Sequence, residues 1–164
     1  MGYGLIDVSG ASLQYLSCGV IKATASAPIE QRLLEVFQGL QAVLQEWRPH
    51  VVAIEEPFLP RSTSGENGYQ TSARSAIAVG QAQGAALMAA AQHGVPVVRY
   101  APSQIKRAVS EYGRGSKEQV QEMVRLLLGL DARPEPSDAA DALAVAICHA
   151  QQLRVQTLTA LGES

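Results

Sequence analysis

Cysteine is scarce in this chain. Only Cys18 and Cys148 occur in 164 residues, each inside an apolar stretch and neither in a CxxC or CxxH spacing. That excludes a disulfide framework and a cysteine-based zinc site, and it predicts two reduced core thiols in a cytoplasmic protein. A long hydrophobic run is also missing. No segment reaches the ~18 continuous apolar residues of a membrane span, and Met1-Gly2-Tyr3-Gly4 lacks the basic start and apolar core of a signal peptide. Gly2, Gly4 and Gly10 form no phosphate-binding loop, which argues against an actin-like kinase. A large basic excess is absent as well. The formal net charge of −2 argues mildly against a general nucleic-acid binder.

That global figure hides a local reversal. Between Arg99 and Arg125 six cations (Arg99, Lys106, Arg107, Arg114, Lys117 and Arg125) face three acids (Glu111, Glu118 and Glu122), a local excess of +3. Nearly half the residues are apolar and 17% are charged, the balance of a globular chain able to bury a core without cross-links.

Two acidic islands stand out. Ala53-Ile54-Glu55-Glu56 ends a short apolar strand, and Ser137-Asp138-Ala139-Ala140-Asp141 opens a helix otherwise made of Ala, Leu, Val and Ile. Three-residue spacing puts Asp138 and Asp141 on one helix face. Ionised carboxylates on a helix that favours burial are costly unless paired or bound to a cation, and mutual repulsion adds to the cost. The pattern therefore asks for a divalent metal such as magnesium. Glu55 alone reads equally as a solvated strand-end charge, and Asp138 alone as an N-cap.

Alternation and turn signals predict strands at Gly4–Val8 and Leu13–Ile21, joined by Ser9-Gly10-Ala11. Pro28 opens a helix whose apolar face carries Leu33, Leu34, Phe37, Leu40, Val43, Leu44 and Trp47, and Arg48-Pro49 closes it. Val51–Ile54 and Val95–Tyr100 are further strands. Between them lie a loop over 59–74, rich in Ser, Thr, Gly, Asn and Gln, and a helix over 75–92 rich in Ala and Gly. Small residues such as Gly80 and Gly84 let another helix approach closely, within the fold or across a dimer interface. A short basic helix follows Pro102, another runs from Ser116 to Leu128 before Gly129, and the last spans about Asp138–Leu153. This order indicates α/β layering with part of the sheet parallel. One domain over 1–153 and a disordered tail over 154–164 are expected.

The acidic islands and their surroundings resemble the RuvC family of Holliday-junction resolvases, with an RNase H-like mixed β-sheet flanked by helices. Gly2-Tyr3-Gly4, Ala53-Ile54-Glu55, Phe58, Gly80-Gln81-Ala82, Tyr100-Ala101, Lys106, Lys117-Glu118-Gln119-Val120-Gln121, Met123-Val124-Arg125 and Asp138 to Ala144 all stand in the family's order. The resemblance covers nearly the whole chain. It implies a structure-selective endonuclease that cuts four-way DNA junctions symmetrically, acts as a homodimer, and uses two Mg2+ ions per site, or Mn2+. Branch-migration proteins are implied partners. Glu55, Asp138 and Asp141 match three of the family's four metal-binding acids. Lys106 and Lys117 match lysines near the scissile phosphate, where a fixed cation offsets developing charge. Phe58 matches an aromatic that engages bases at the junction centre. Arg107 and Arg114 would hold the phosphodiester backbone. Arg125 reads either as a third such contact or as a structural arginine on the helix surface.

The pattern also departs from the family. Its first aspartate belongs to a Gly-Ile-Asp-Pro-Gly strand ahead of the Gly-Tyr-Gly, and that central strand is not in this sequence. Asp7 is read as a hairpin charge and not as its replacement. The expectation is that the natural start lies upstream. The alternative is a junction-binding protein with impaired or no cleavage; a nuclease of the same fold acting on RNA-containing duplexes is a third reading. The 59–74 segment is longer than usual for the family, and Ala78 and Gln83 replace common basic residues, so DNA contacts are expected to shift to Arg61 and Arg74.

Overall fold

A computed structural model of the chain describes residues 1–10, 12–56, 73–109 and 116–162, with the side chains of 73–75 and 160–162 excepted. Two strands come first, β1 (Gly2–Ser9) and β2 (Ser12–Val20), followed by helix α1 (Ile29–Trp47) and strand β3 (Val52–Glu55). After α2 (Ala73–Gln92) come β4 (Val97–Tyr100), α3 (Pro102–Val109), α4 (Lys117–Leu127) and α5 (Ser137–Gly162). The described chain divides into two compact units: Met1–Ile21 with Ala53–Glu55 and Val98–Ser164, and Lys22–Val52 with Glu56–Val97.

In the first unit, β1 and β2 form an antiparallel hairpin running from Gly2 opposite Val20 to Ser9 opposite Ser12. Gly10, at φ +59°, supplies the left-handed backbone that begins the turn. Leu5 faces Ser17 while Ile6 faces Tyr15, so Leu16 is one extra residue on β2, a bulge that bends the ribbon. Asp7 lies opposite Gln14 and is exposed, as a hairpin charge should be.

The apolar helix α5 is the axis of this unit. Leu143 and Ile147 are fully buried, and Ala144 and Cys148 nearly so, in one cluster with Tyr100, Val109 of α3, Val124 of α4, and Leu128. Removing a side chain the size of Leu143 from water is worth about 1.5–3 kcal/mol. Both cysteines are free thiols, Cys148 buried and Cys18 partly so. α5 continues to Gly162, well past the expected end at Leu153.

In the second unit α1 packs on α2. Arg48, at φ 45°, ends α1 in the left-handed region and donates its N–H to Leu44 O at 3.0 Å. Ala85, Ala86, Ala89 and Ala90 form the buried stripe of α2. Leu34 departs from its expected place on the buried face of α1, at 45% exposure.

β3 pairs with β4, and β1 with β2, as two separate two-stranded sheets. The mixed sheet expected from the sequence is thus divided at β1 and β3, because among the described residues no strand hydrogen-bonds to both. The mixed α/β class itself is as expected.

Candidate active site

Glu55 is the last residue of β3. A short strand, apolar up to this residue, delivers it to the C-terminal end of β3. It is solvent-accessible yet crowded by protein. Desolvation raises its carboxyl above the ordinary carboxylate range, the charge of Asp141 raises it further, and the Lys106 ammonium partly offsets both.

Asp138 and Asp141 sit in the first turns of α5 and both are exposed, whereas Ala139, Ala140 and Leu143 between and beyond them are buried. The helix therefore buries its apolar face and presents the two acids as an open stripe. Its first residue is Ser137, and Ala139 donates its N–H to Pro136 O at 2.9 Å. Asp138 therefore lies inside the first turn and is not the N-cap. A negative charge there still answers the helix dipole. Asp141 is held above the ordinary range by desolvation and by Asp138, with Lys117 pulling the other way.

Two lysines complete the constellation from separate helices. Lys106 is exposed in the last turn of α3, held by the burial of Ile105 and Val109 beside it. Lys117 is the first residue of α4, fixed by a capping box: Ser116 N donates to Gln119 Oε1 at 2.7 Å and Ser116 Oγ accepts from Gln119 N at 3.3 Å. Three acids and two cations from β3, α3, α4 and α5 thus act on one another's charge, although the two islands lie some eighty residues apart in the chain.

The donor chemistry suits a hard divalent cation, since all three acids offer oxygen. Desolvation, with repulsion from a neighbouring acid added to it, raises Glu55 and Asp141, and a cation would repair that deficit. Among the described residues, no three potential ligands are gathered closely enough to enclose a metal ion. The acids form one wall of a candidate site.

Arg107 is exposed on α3 and near enough to Cys148 for its charge to favour the thiolate, against the burial that pushes this thiol up. Phe58, Arg61 and Arg114, and the side chain of Arg74, lie outside the described residues. Arg125 takes the structural one of its two readings. Its Nη2 and Nε donate to Glu122 Oε1 at 2.7 and 3.0 Å, and its Nη1 donates to Leu130 O at 3.1 Å. Arg133 Nε adds a second contact to Glu122, at 2.8 Å.

Two contacts are visible only in the structure. Tyr100 hydroxyl meets His149 Nδ1 at 2.7 Å, a polar contact beside the core, and burial lowers the His149 pKa. Gly2 and Gly4 let β1 run directly against the start of α5.

Residues 1–149 match the family model described as crossover junction endodeoxyribonuclease RuvC. Two similar curated relatives bear that same name. The protein of Desulfitobacterium hafniense (strain DSM 10664 / DCB-2) is 46% identical over 155 residues, covering 94% of this chain and 88% of the relative. That of Thermomicrobium roseum is 44% identical over 158 residues, covering 96% and 90%. Among solved structures, that titled T. thermophilus RuvC in complex with Holliday junction substrate superposes with a TM-score of 0.82 at 38% identity, covering 95% of this chain and 89% of the other.

Proposed function

The chain belongs to the RuvC family of crossover junction endodeoxyribonucleases, and from that premise we propose that it resolves four-way DNA junctions by symmetric, metal-dependent hydrolysis of phosphodiesters. The observation that carries this reading is the mutual influence of Glu55, Asp138, Asp141, Lys106 and Lys117, whose charges meet from four elements.

Glu55, Asp138 and Asp141 would hold divalent cations, Mg2+ or Mn2+ and two per site, which when bound lower the pKa of an attacking water and stabilise the leaving oxygen. The protein's own share is electrostatic and positional. Lys106 and Lys117 face the acids from the tip of α3 and the start of α4, placed to neutralise charge that develops on the phosphoryl oxygens. Arg107, Arg114, Arg61 and Arg74 bind backbone phosphates, and Phe58 engages the junction centre. Residues 1–153 act as the nuclease domain, followed by a C-terminal tail over 154–164, and the protein works in the cytoplasm with branch-migration proteins.

A two-fold substrate calls for two active sites related by a two-fold axis, hence a homodimer. The face for it is α2 with the adjoining edge of α1. Ile77 and Met88 are 60% and 61% exposed, Leu34 joins them, and a groove between the helices is lined by Leu33, Leu34, Phe37, Ala85 and Met88. Among the described residues, a Cβ on Gly80 or Gly84 would meet nothing within 4 Å, room that a second helix could use.

The test is a synthetic four-way junction incubated with the protein and Mg2+. Paired nicks at symmetric positions are expected. A shifted junction that is never nicked would favour the binding-only alternative, and preferential cutting of an RNA-containing duplex would favour the third reading.

A further inference from the structure

Strand β1 passes the start of α5 at a distance that only glycine allows. A β-carbon on Gly2 would run into the carbonyl oxygen and carbon of Asp138, which are main-chain atoms with no rotamer to give way. A β-carbon on Gly4 would lie 2.7 Å from Leu143 Cγ and Cδ2 and 2.9 Å from Leu143 N. Leu143 is fully buried, so its side chain has no room to retreat. The next residue on that face of the strand, Ile6, carries a full side chain packed on the same core. The strand therefore converges on the helix at the acid end and diverges from it along the core.

The two contacts bracket the acidic turn. Gly2 and Gly4 are about 6.6 Å apart along a strand, and Asp138 to Leu143 is about 7.5 Å along a helix, so the elements match in rise. Asp138 is itself the first point at which β1 touches α5, and Asp141 falls between it and the second, Leu143.

We infer that Gly2 and Gly4 are positioning residues for the metal-binding acids: their missing side chains set the height of the first turns of α5, and so where Asp138 and Asp141 stand relative to Glu55. This rests on the metal-dependent reading above. A methyl group at position 2 pushes the Asp138 main chain outward, and one at position 4 pushes at Leu143. Both shift carboxylates that must meet Glu55 at a common ion, and misplacing such support costs roughly 10- to 100-fold in metal affinity.

The experiment measures Mn2+ binding to the full chain without DNA by electron paramagnetic resonance. Each affinity is normalised to the fraction of protein that binds a four-way junction in EDTA. Gly2→Ala and Gly4→Ala should lose roughly 10- to 100-fold in Mn2+ affinity while junction affinity in EDTA stays within about two-fold. Gly19→Ala is the control, because the atoms nearest its β-carbon would be those of the Tyr3 side chain, at 2.9–3.0 Å, and not α5. It should lower thermal stability with no change in Mn2+ affinity. Adding Leu143→Ala to Gly4→Ala opens space for the methyl group and should recover part of the lost affinity. If Gly2→Ala fails to fold, this Gly4 pair decides. Wild-type Mn2+ affinity in Gly4→Ala, an equal loss in Gly19→Ala, or no recovery in the double variant would each overturn the inference. If the wild type itself neither binds Mn2+ nor cuts, the metal-dependent reading fails, which is distinct from its binding Mn2+ equally with and without the methyl groups.

Discussion

Replacing Asp141 by asparagine should make the metal-free protein more stable at neutral pH while abolishing its stabilisation by metal. In chelator, Asp141 repels both Asp138 and Glu55 and is attracted by Lys117. Asparagine keeps the shape and removes one net repulsion together with the desolvation of a charge. The groups are solvent-accessible and screened, so the gain is about 0.5–1 kcal/mol, the scale of exposed charge pairs. For a protein of this size that corresponds to about 1–4 °C in Tm. The sign with pH follows from the raised carboxyls. A group held above its unfolded pKa contributes stability that is complete below the unfolded value and is lost as pH climbs through the folded one. The wild type therefore gives up stability above the ordinary carboxylate range, and Asp141→Asn gives up less, because only the desolvation of Glu55 remains. Differential scanning calorimetry in EDTA at low ionic strength should show the two proteins converging at acid pH and separating at neutral pH, with added salt narrowing the gap. With Mg2+ the order should invert, since a ligand bound only by the folded state stabilises it by RT ln(1 + L/Kd), L being the free ligand concentration. A variant less stable than wild type in EDTA at neutral pH, by as much as in Mg2+, would refute the reasoning.

Lys117→Met should lower the single-turnover cleavage rate by roughly 10²- to 10³-fold, with junction affinity in EDTA little changed. Glu122→Gln should lower Tm without altering junction binding, because Glu122 serves Arg125 and Arg133. Its carboxyl is lowered to about 2, chiefly by those hydrogen bonds, so its contribution is present above the ordinary carboxylate range and lost as pH falls toward that value in an acid melt. Arg61→Ala with Arg74→Ala should weaken junction binding and flatten its salt dependence by a slope of roughly 1–2; an unchanged slope in a fluorescence titration would reject those contacts. Met88→Asp should shift the protein to monomer in light scattering, and an unaltered mass would move the dimer face elsewhere.

The site was more legible than its scaffold. Asp138 and Asp141 announce themselves because charge three residues apart on an Ala/Leu/Val helix conflicts with its local pattern, and Glu55 because it ends an apolar strand. Ser116 was equally legible, since Ser followed three residues later by Gln encodes a reciprocal cap. Other features depend on long-range geometry that spacing does not carry. Leu34 falls on the apolar stripe of α1, but only the placement of α2 decides that it stays exposed. Arg125 is basic and near the site in sequence, yet its fork is taken by Glu122 and Leu130 O. Asp138 looks like an N-cap, yet the helix already starts at Ser137 and Pro136 O accepts from Ala139. The division of the strands into two pairs is a matter of hydrogen bonding between distant segments, which periodicity does not report.

The first turns of α5 place a constraint on how this sequence can drift. Each helical residue advances by about 100°, and exposed acids alternate there with buried Ala139, Ala140 and Leu143. Substitution at the exposed positions leaves the turn in register. One inserted or deleted residue between Asp138 and Asp141 does not: it swings a carboxylate into the core and a leucine into water in the same step. Insertions and deletions are therefore barred from this turn however well point changes are absorbed, and length variation among descendants of this chain should collect in the segments between helices.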